Sequence, residues 1–199
     1  EVARLAVRAV DRARPIGLTP FHVSATRTGI PMTNELYRWA RLLGVLRRDA
    51  YAWNSRDNSL GDLLRAVRWD GISAIETEVA CLRLGELYVA AIPGELYPEL
   101  LQGRVEDPPQ PGADYPESPI EPTVADILPG DKWMLFGLAN DEIGYIMPRR
   151  QWDRQPPYAY GRSAPQYGEI HSCGPDVAPA IMHALRARVA DLPPPLTAN

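Results

Sequence analysis

Residues 75–92 read IETEVACLRLGELYVAAI, and this stretch decides the fold of the chain. In its first half apolar residues alternate with charged or small ones, which is the pattern of a strand with one face in a core. The predicted core face carries Ile75, Thr77, Val79 and Cys81. Gly85-Glu86 then fits a two-residue hairpin loop. The apolar residues 87–92 complete an antiparallel hairpin, and their strand is predicted to be central in its sheet.

The rest of the chain supplies helices and strands around this hairpin. Apolar spacing predicts helices over residues 1–14, from 33 or 34 to about 46, from 58 or 59 to 67, and from 175 to the last turn near 189. In the second helix, Leu36, Trp39, Ala40 and Leu43 are expected to face inward. Further strands are predicted over residues 21–28 and 132–139, without a regular strand–helix–strand rhythm. This predicts an α/β (mixed α+β) fold, a mixed sheet flanked by helices.

Composition and charge exclude several classes of protein. The 199 residues are 45% hydrophobic and 23% charged, as in ordinary globular proteins. Lys and Arg number 21 against 25 Asp and Glu, and the formal net charge of −4 argues against nucleic acid as a partner. No apolar run approaches the length of about 18 residues that a transmembrane segment needs. Two cysteines do not make a disulfide scaffold, and no glycine-rich phosphate loop supports a nucleotide site.

Residues 104–130 differ in composition from the rest of the chain, with seven prolines, six acidic residues and one arginine. Because proline lacks a backbone N–H, this segment is predicted to be a Pro-rich acidic loop and neither a helix nor a central strand. Two roles remain open for it. It packs over a binding cavity as a lid, with Tyr115 and Ile120 as its apolar contacts, or it is a surface excursion without functional consequence.

Three short motifs place polar residues at strand ends or at a helix start. PGE at residues 93–95 follows the return strand, and NDEIGY at 140–145 follows the strand over 132–139. Strand ends are where open sheets present reacting groups. The same residues also have purely structural interpretations, Glu95 as a glutamate in the first turn of a helix and Tyr145 as a packed tyrosine.

His171 and Cys173 precede the last helix. Near neighbours in sequence rarely form a Cys–His dyad, so Cys173 reads more readily as a packing residue.

At these motifs the sequence resembles the neutral/alkaline (non-lysosomal) ceramidase family. The resemblance rests on VAAIPGE at residues 89–95 and on GLAN and GY at 137–140 and 144–145. It continues through Gln151, Trp152, Gln155, Tyr158 and Gly174-Pro175, and covers roughly residues 70–190. The family is a zinc amidase that cleaves ceramide into sphingosine and fatty acid. The resemblance implies that residues 1–199 are the C-terminal portion of one ceramidase-like hydrolase domain, whose upstream half precedes Glu1.

The resemblance also implies a zinc site shared between the two halves of that domain. The family's zinc is held by two histidines from earlier in the domain, by the PGE glutamate and by a later tyrosine, so the metal ligands here would be Glu95 and Tyr145. A tyrosine about a dozen residues further on faces the substrate; Tyr158 is the best match and Tyr160 the runner-up. Carboxylate and imidazole suit Zn²⁺, and an open position leaves room for water. The two ligand oxygens should then lie on one cavity, about 3–4 Å apart.

These expectations give one functional prediction and two alternatives. The parent protein is predicted to be a zinc-dependent amidase of ceramide or a similar lipid amide. The two zinc histidines and a substrate-side serine are expected upstream, because His22, His171 and His183 do not match the family's motifs. No catalytic residue is assigned within this chain, which should be inactive alone, and the resemblance favours a secreted or periplasmic location. One alternative is a ceramidase-like binding or scaffold domain that has lost the metal. The other is a hydrolase that uses Cys173 with His171.

Overall fold

The computed structural model describes residues 1–54, 59–67 and 71–194. Along the chain its elements are α1 (Val2–Arg12), β1 (Phe21–Met32), α2 (Glu35–Leu42), β2 (Tyr51–Asn54), β3 (Ser59–Leu63), β4 (Ser73–Leu84), β5 (Leu87–Ala91), β6 (Glu95–Leu96), α3 (Pro98–Gln102), α4 (Val124–Ile127), β7 (Trp133–Phe136), β8 (Tyr145–Ile146), α5 (Tyr167–Ile170) and α6 (Val177–Ala190). None of the helices in these ranges is both long enough and apolar enough to cross a bilayer.

One six-stranded mixed sheet organises the described elements. Its order is β3-β2-β4-β5-β7, and β1 pairs with β4 along the whole strand, from Phe21 opposite Leu84 to Met32 opposite Ser73. Neighbouring strands are antiparallel except β5 and β7, which run parallel. The predicted hairpin is β4 and β5, with Gly85 in the left-handed region at φ 61°. The α/β fold with a mixed sheet flanked by helices is therefore confirmed.

The core lies between one face of this sheet and α6. Ile75, Val79 and Cys81 of β4 point into it, as their alternation predicted. From the other side α6 contributes Ile181 and Leu185, which lie one helical turn apart on its buried face. Each fully buried side chain of this size stabilises the fold by about 1.5–3 kcal/mol.

The opposite face of the sheet is open among the described residues. The strand register places Val23, Leu82, Val89 and Met134 in one row across β1, β4, β5 and β7. Val23, Met134 and Phe136 of this face are each about half exposed. Helix α1 does not cover it, because none of its residues is buried. The strand predicted over 132–139 is β7, which ends the sheet order.

Three of the predicted elements are wrong in detail. Residues 59–63 form a strand and not a helix, because Leu60 pairs with Trp53 and Gly61 disfavours helix. β1 continues through Pro31 to Met32, since a described strand that pairs on one side only can spare the proline N–H. The Pro-rich segment contains one helical turn, α4, whose N-terminus is closed by a capping box between Thr123 and Asp126.

Helix α2 begins at Asn34, whose side chain accepts a hydrogen bond from the Leu36 N–H at 2.9 Å. Its orientation differs from the predicted one. Leu36 and Trp39 are about half exposed, and Leu43, just after the helix, is exposed further. Tyr37 points inward instead, and its hydroxyl donates to the backbone carbonyl of His171 at 2.9 Å.

Candidate functional site

A two-residue parallel ladder forms the centre of the candidate site. β6 and β8 pair so that Glu95 lies opposite Tyr145. The Glu95 N–H donates to the Gly144 carbonyl at 3.1 Å, and the Tyr145 N–H donates to the His171 carbonyl at 3.1 Å. Desolvation, followed by the neighbouring Glu95 carboxylate, raises the pKa of Tyr145. The structure therefore brings together the two residues that the resemblance singled out.

Glycines before both residues make this close approach possible. A Cβ on Gly94 would lie 2.5 Å from the Gly144 carbonyl oxygen, and a Cβ on Gly144 would lie 2.0 Å from that of His171. Gly144 also has φ 87°, a conformation that side chains disfavour. The β6–β8 ladder is packed backbone against backbone, and this packing requires glycine at the positions before Glu95 and Tyr145.

A cavity of about 340 Å³ opens beside the ladder. Glu95 and Tyr145 line it together with a mostly apolar wall and a few polar groups, namely Met32, Tyr37, Arg41, Leu46, Arg48, Ile75, Glu142, Ile143, Gly144, Tyr167, His171 and Cys173. Apolar walls with a small number of convergent polar groups are typical of binding sites for small molecules.

Aromatic rings form a continuous row through the site. Tyr97 and Tyr145 meet edge to face with centroids 6.0 Å apart, and Tyr145 and Tyr167 meet in the same way at 5.7 Å. The Tyr167 ring lies 4.1 Å from the ring of His171. Edge-to-face pairs stabilise by about 0.5–1.5 kcal/mol beyond their buried area. The row fixes the Tyr145 side chain between two neighbours at the cavity.

Tyr167 was not predicted from the sequence as a site residue. Its side chain is 66% exposed, so it contributes a reachable phenol to the cavity wall. The signal that could have found it is the capping box of Gln166 and Glu169, which begins α5 just before the His171 motif. A close contact also positions α5, because a Cβ on Gly168 would lie 1.9 Å from the Tyr97 hydroxyl.

Asn140 and Asp141, in the NDEIGY motif after β7, are held in place by polar contacts. The Arg48 guanidinium pairs with the Asp141 carboxylate, with Nη1 and Oδ1 2.8 Å apart, and Thr77 donates to the same carboxylate at 2.6 Å. Burial opposes ionisation of Asp141, but the hydrogen bonds from Arg48 and Thr77 outweigh it and lower the pKa of the carboxyl. Asn140 donates to Glu78 at 2.8 Å. These contacts are structural. They anchor Asn140 and Asp141 to Thr77 and Glu78 of β4 and to Arg48, which follows α2.

Cys173 and His171 both line the cavity, but they do not form a dyad. The Cys173 thiol donates to the Ile143 carbonyl at 3.2 Å, and the His171 ring packs on Tyr167. Burial raises the pKa of Cys173 to about 12. A thiol kept neutral in this way is not an available nucleophile, so the geometry gives no support to the Cys–His hydrolase.

Tyr158 and Tyr160 are not brought to this cavity; neither is among the described residues that line it. Tyr158 is half-buried on the stretch before α5. The Tyr160 ring lies under the Arg162 guanidinium, 4.5 Å from its carbon, beside the buried carboxylates of Asp153 and Glu169. That either tyrosine contacts a substrate stays a prediction.

The Pro-rich segment packs away from the cavity. Its Asp114 carboxylate accepts the backbone N–H of Arg154 at 2.8 Å, and its Tyr115 ring lies under the Arg149 guanidinium at 4.7 Å. Ile120 is 44% exposed beside α6. None of the described lining residues belongs to 104–130, so the lid prediction is wrong. The segment packs against residues 149–155 and stabilises their conformation.

The donor chemistry of the site fits part of a zinc site. The Glu95 carboxylate and the Tyr145 phenol place two oxygen donors on the wall of one cavity, and a carboxylate oxygen is a ligand that Zn²⁺ accepts. In the parts of the chain described, no three His, Cys, Asp or Glu side chains converge as a complete set.

No family model matches the sequence, and no curated protein matches it as a relative.

Proposed function

We propose that this chain is part of a zinc-dependent amidase that hydrolyses the amide bond of ceramide or a similar lipid amide. The pairing of Glu95 with Tyr145 on one cavity supports this most directly, because residues 50 positions apart in sequence meet at adjacent ladder positions. Two histidines from the upstream half of the same domain would complete the ligand set. The 199-residue chain alone is then inactive.

Seven of the residues that line the cavity have a role in this proposal. A bound zinc ion would polarise the amide carbonyl and lower the pKa of a water molecule to about 7. Glu95 and Tyr145 would hold the ion. With the metal absent, the raised pKa of Tyr145 keeps the proton on its phenol. Tyr167 and His171 continue the cavity wall beside Tyr145, where their polar groups would orient an amide. Met32, Ile75 and Ile143 offer an apolar surface to an acyl chain.

The test uses the protein with its upstream sequence. Glu95→Gln and Tyr145→Phe should each lower the zinc content measured by mass spectrometry and abolish hydrolysis of a fluorescent ceramide. Glu117→Gln and Tyr115→Phe are matched controls outside the cavity and should change neither. Full zinc content in both site variants would overturn the assignment of these two ligands.

The second candidate is a ceramidase-like binding or scaffold domain without a metal. The incomplete ligand set among the described residues is compatible with both candidates. Zinc-free protein with its upstream sequence would then bind a lipid amide as tightly as zinc-loaded protein and would show no hydrolysis. Zinc-dependent turnover excludes this candidate.

A further inference from the structure

The segment 36–48, LYRWARLLGVLRR, has an unusual surface for an acidic protein. It contains four arginines and no acidic residue, whereas the whole chain has a net charge of −4. It comprises most of α2 and the turn that follows. Its large apolar side chains are all exposed, by 48% for Leu36, 52% for Trp39, 52% for Leu42, 73% for Leu43, 74% for Val45 and 39% for Leu46.

The helix exposes these residues because it packs through others. Tyr37 reaches inward to the His171 carbonyl, while Arg38 and Arg41 lie along the protein surface. α2 has no fully buried residue. A contiguous exposed apolar patch rimmed by polar groups marks a binding surface.

The arginines of the segment donate mostly to backbone carbonyls, and Glu35 and Asp49 flank the segment directly. Arg38 donates to the carbonyls of Met32 and Gly71, and Arg41 to those of Arg48 and Leu64. Arg47 donates to the Gly44 carbonyl at 3.4 Å. Arg48 pairs with the Asp141 carboxylate, and the described residues show no ion pair for the other three arginines of the segment.

The segment is also one rim of the cavity. Tyr37, Arg41, Leu46 and Arg48 line the same cavity as Glu95 and Tyr145. Leu46 belongs both to the exposed apolar side chains of the segment and to the wall of the cavity.

We propose that residues 36–48 dock on the surface of an anionic lipid bilayer, with Leu42, Leu43 and Val45 entering the interface and Arg47 meeting lipid phosphates. Apolar and aromatic side chains interleaved with arginines have the composition of an interfacial segment, and each arginine near an anionic surface strengthens binding about fivefold. The proposal deepens the proposed function, on which it rests for the identity of the substrate. A second copy of the chain is a poorer occupant, because a two-fold contact would bring the same four arginines against each other.

Vesicle binding by the protein with its upstream sequence tests the proposal without zinc or substrate, so its failure is distinguishable from failure of the amidase proposal. No vesicle binding by that protein would mean that the upstream half of the domain covers residues 36–48 and would overturn the proposal. Val45→Cys is labelled with an environment-sensitive nitrobenzoxadiazole dye; Cys81 and Cys173 are buried and stay unlabelled. Val23→Cys, on the open sheet face, carries the control label. Vesicles of phosphatidylcholine alone are compared with vesicles containing half phosphatidylglycerol, at low and high salt.

The label at residue 45 should shift to the blue only with phosphatidylglycerol, and less at high salt. Arg47→Glu should weaken binding about 30-fold, from two charges at about fivefold each, and Leu43→Ser about tenfold. Arg8→Glu on the exposed α1 is the matched control and should leave binding unchanged. Equal losses for Arg8→Glu and Arg47→Glu, salt-independent binding to phosphatidylcholine, or a shift only at residue 23 would overturn the proposal. So would a label at residue 45 that responds only to self-association, measured by light scattering.

Discussion

The Tyr37 hydroxyl donates a hydrogen bond to the backbone carbonyl of His171 at 2.9 Å, and the same carbonyl accepts the backbone N–H of Tyr145 at 3.1 Å. One oxygen therefore connects α2 to the strand that carries Tyr145. Burial, followed by the charges of Cys173 and Glu142, raises the pKa of Tyr37 to about 12. The phenol thus remains a hydrogen-bond donor throughout the physiological range.

Tyr37→Phe should lower the free energy of unfolding by about 1 kcal/mol, because it removes one net hydrogen bond and leaves the ring in place. Urea denaturation followed by circular dichroism measures the change. Tyr115→Phe is the control, since its ring makes the contact with Arg149 and should keep its stability. Unchanged stability of Tyr37→Phe would show that the hydrogen bond contributes nothing.

Gly144→Ala should destabilise the protein by about 3 kcal/mol or more, because the new methyl group meets the His171 carbonyl and the backbone lies at φ 87°. Thermal denaturation measures the loss. Gly17→Ala is the control, since nothing lies within 4 Å of its new Cβ. Similar melting temperatures for the two variants would mean that the ladder tolerates a wider spacing.

Asp141 should make stability depend on pH in the acid range. Its pKa is lower in the folded chain than the ordinary value of about 3.9, so its contribution is complete above that value and is lost as pH falls through the folded pKa. Asp141→Asn should cost about 1.5–3 kcal/mol at pH 7, as for a hydrogen bond to a charged group. Urea unfolding between pH 2 and 7 should show a shallower acid slope for the variant. Parallel slopes would assign the acid sensitivity to other carboxylates.

The open sheet face should bind hydrophobic dyes. The purified chain is expected to increase the fluorescence of anilinonaphthalene sulfonate or to self-associate, because Val23, Met134 and Phe136 are exposed in adjoining rows. Met134→Ser should reduce the signal without a large loss of stability. A monomeric chain with a cooperative melt and no dye binding would contradict this expectation.

The sequence predicted those parts of the fold in which local pattern and tertiary packing agree. Alternation from Ile75 to Cys81 and the glycine at 85 were sufficient for the central hairpin. Local pattern failed at Leu60, where pairing with Trp53 overrides helical spacing. It failed again in α2, because spacing shows that a helix has an apolar side but not what that side faces.

The candidate site was less accessible to such reasoning. Nothing in residue spacing brings Glu95 to Tyr145, because their contact depends on the path of the intervening chain. The strand-end motifs indicated each residue separately, and the resemblance predicted that they share a site. Tyr167 enters the cavity through the packing of α5 against Tyr97, which no sequence period encodes. The resemblance singled out Tyr158 and Tyr160 instead, and their contact with a substrate stays a prediction.

The β6–β8 ladder makes this chain suitable for split-protein complementation. Opening the chain at the exposed Glu117 would give one fragment with Glu95 and another with Tyr145, and exposed polar loop positions are where chains tolerate such breaks. The two halves would regain the ladder only by reassembling β5 with β7 and α6 with the sheet. Reconstitution of the fragments would then report directly on formation of the pair at the centre of the cavity.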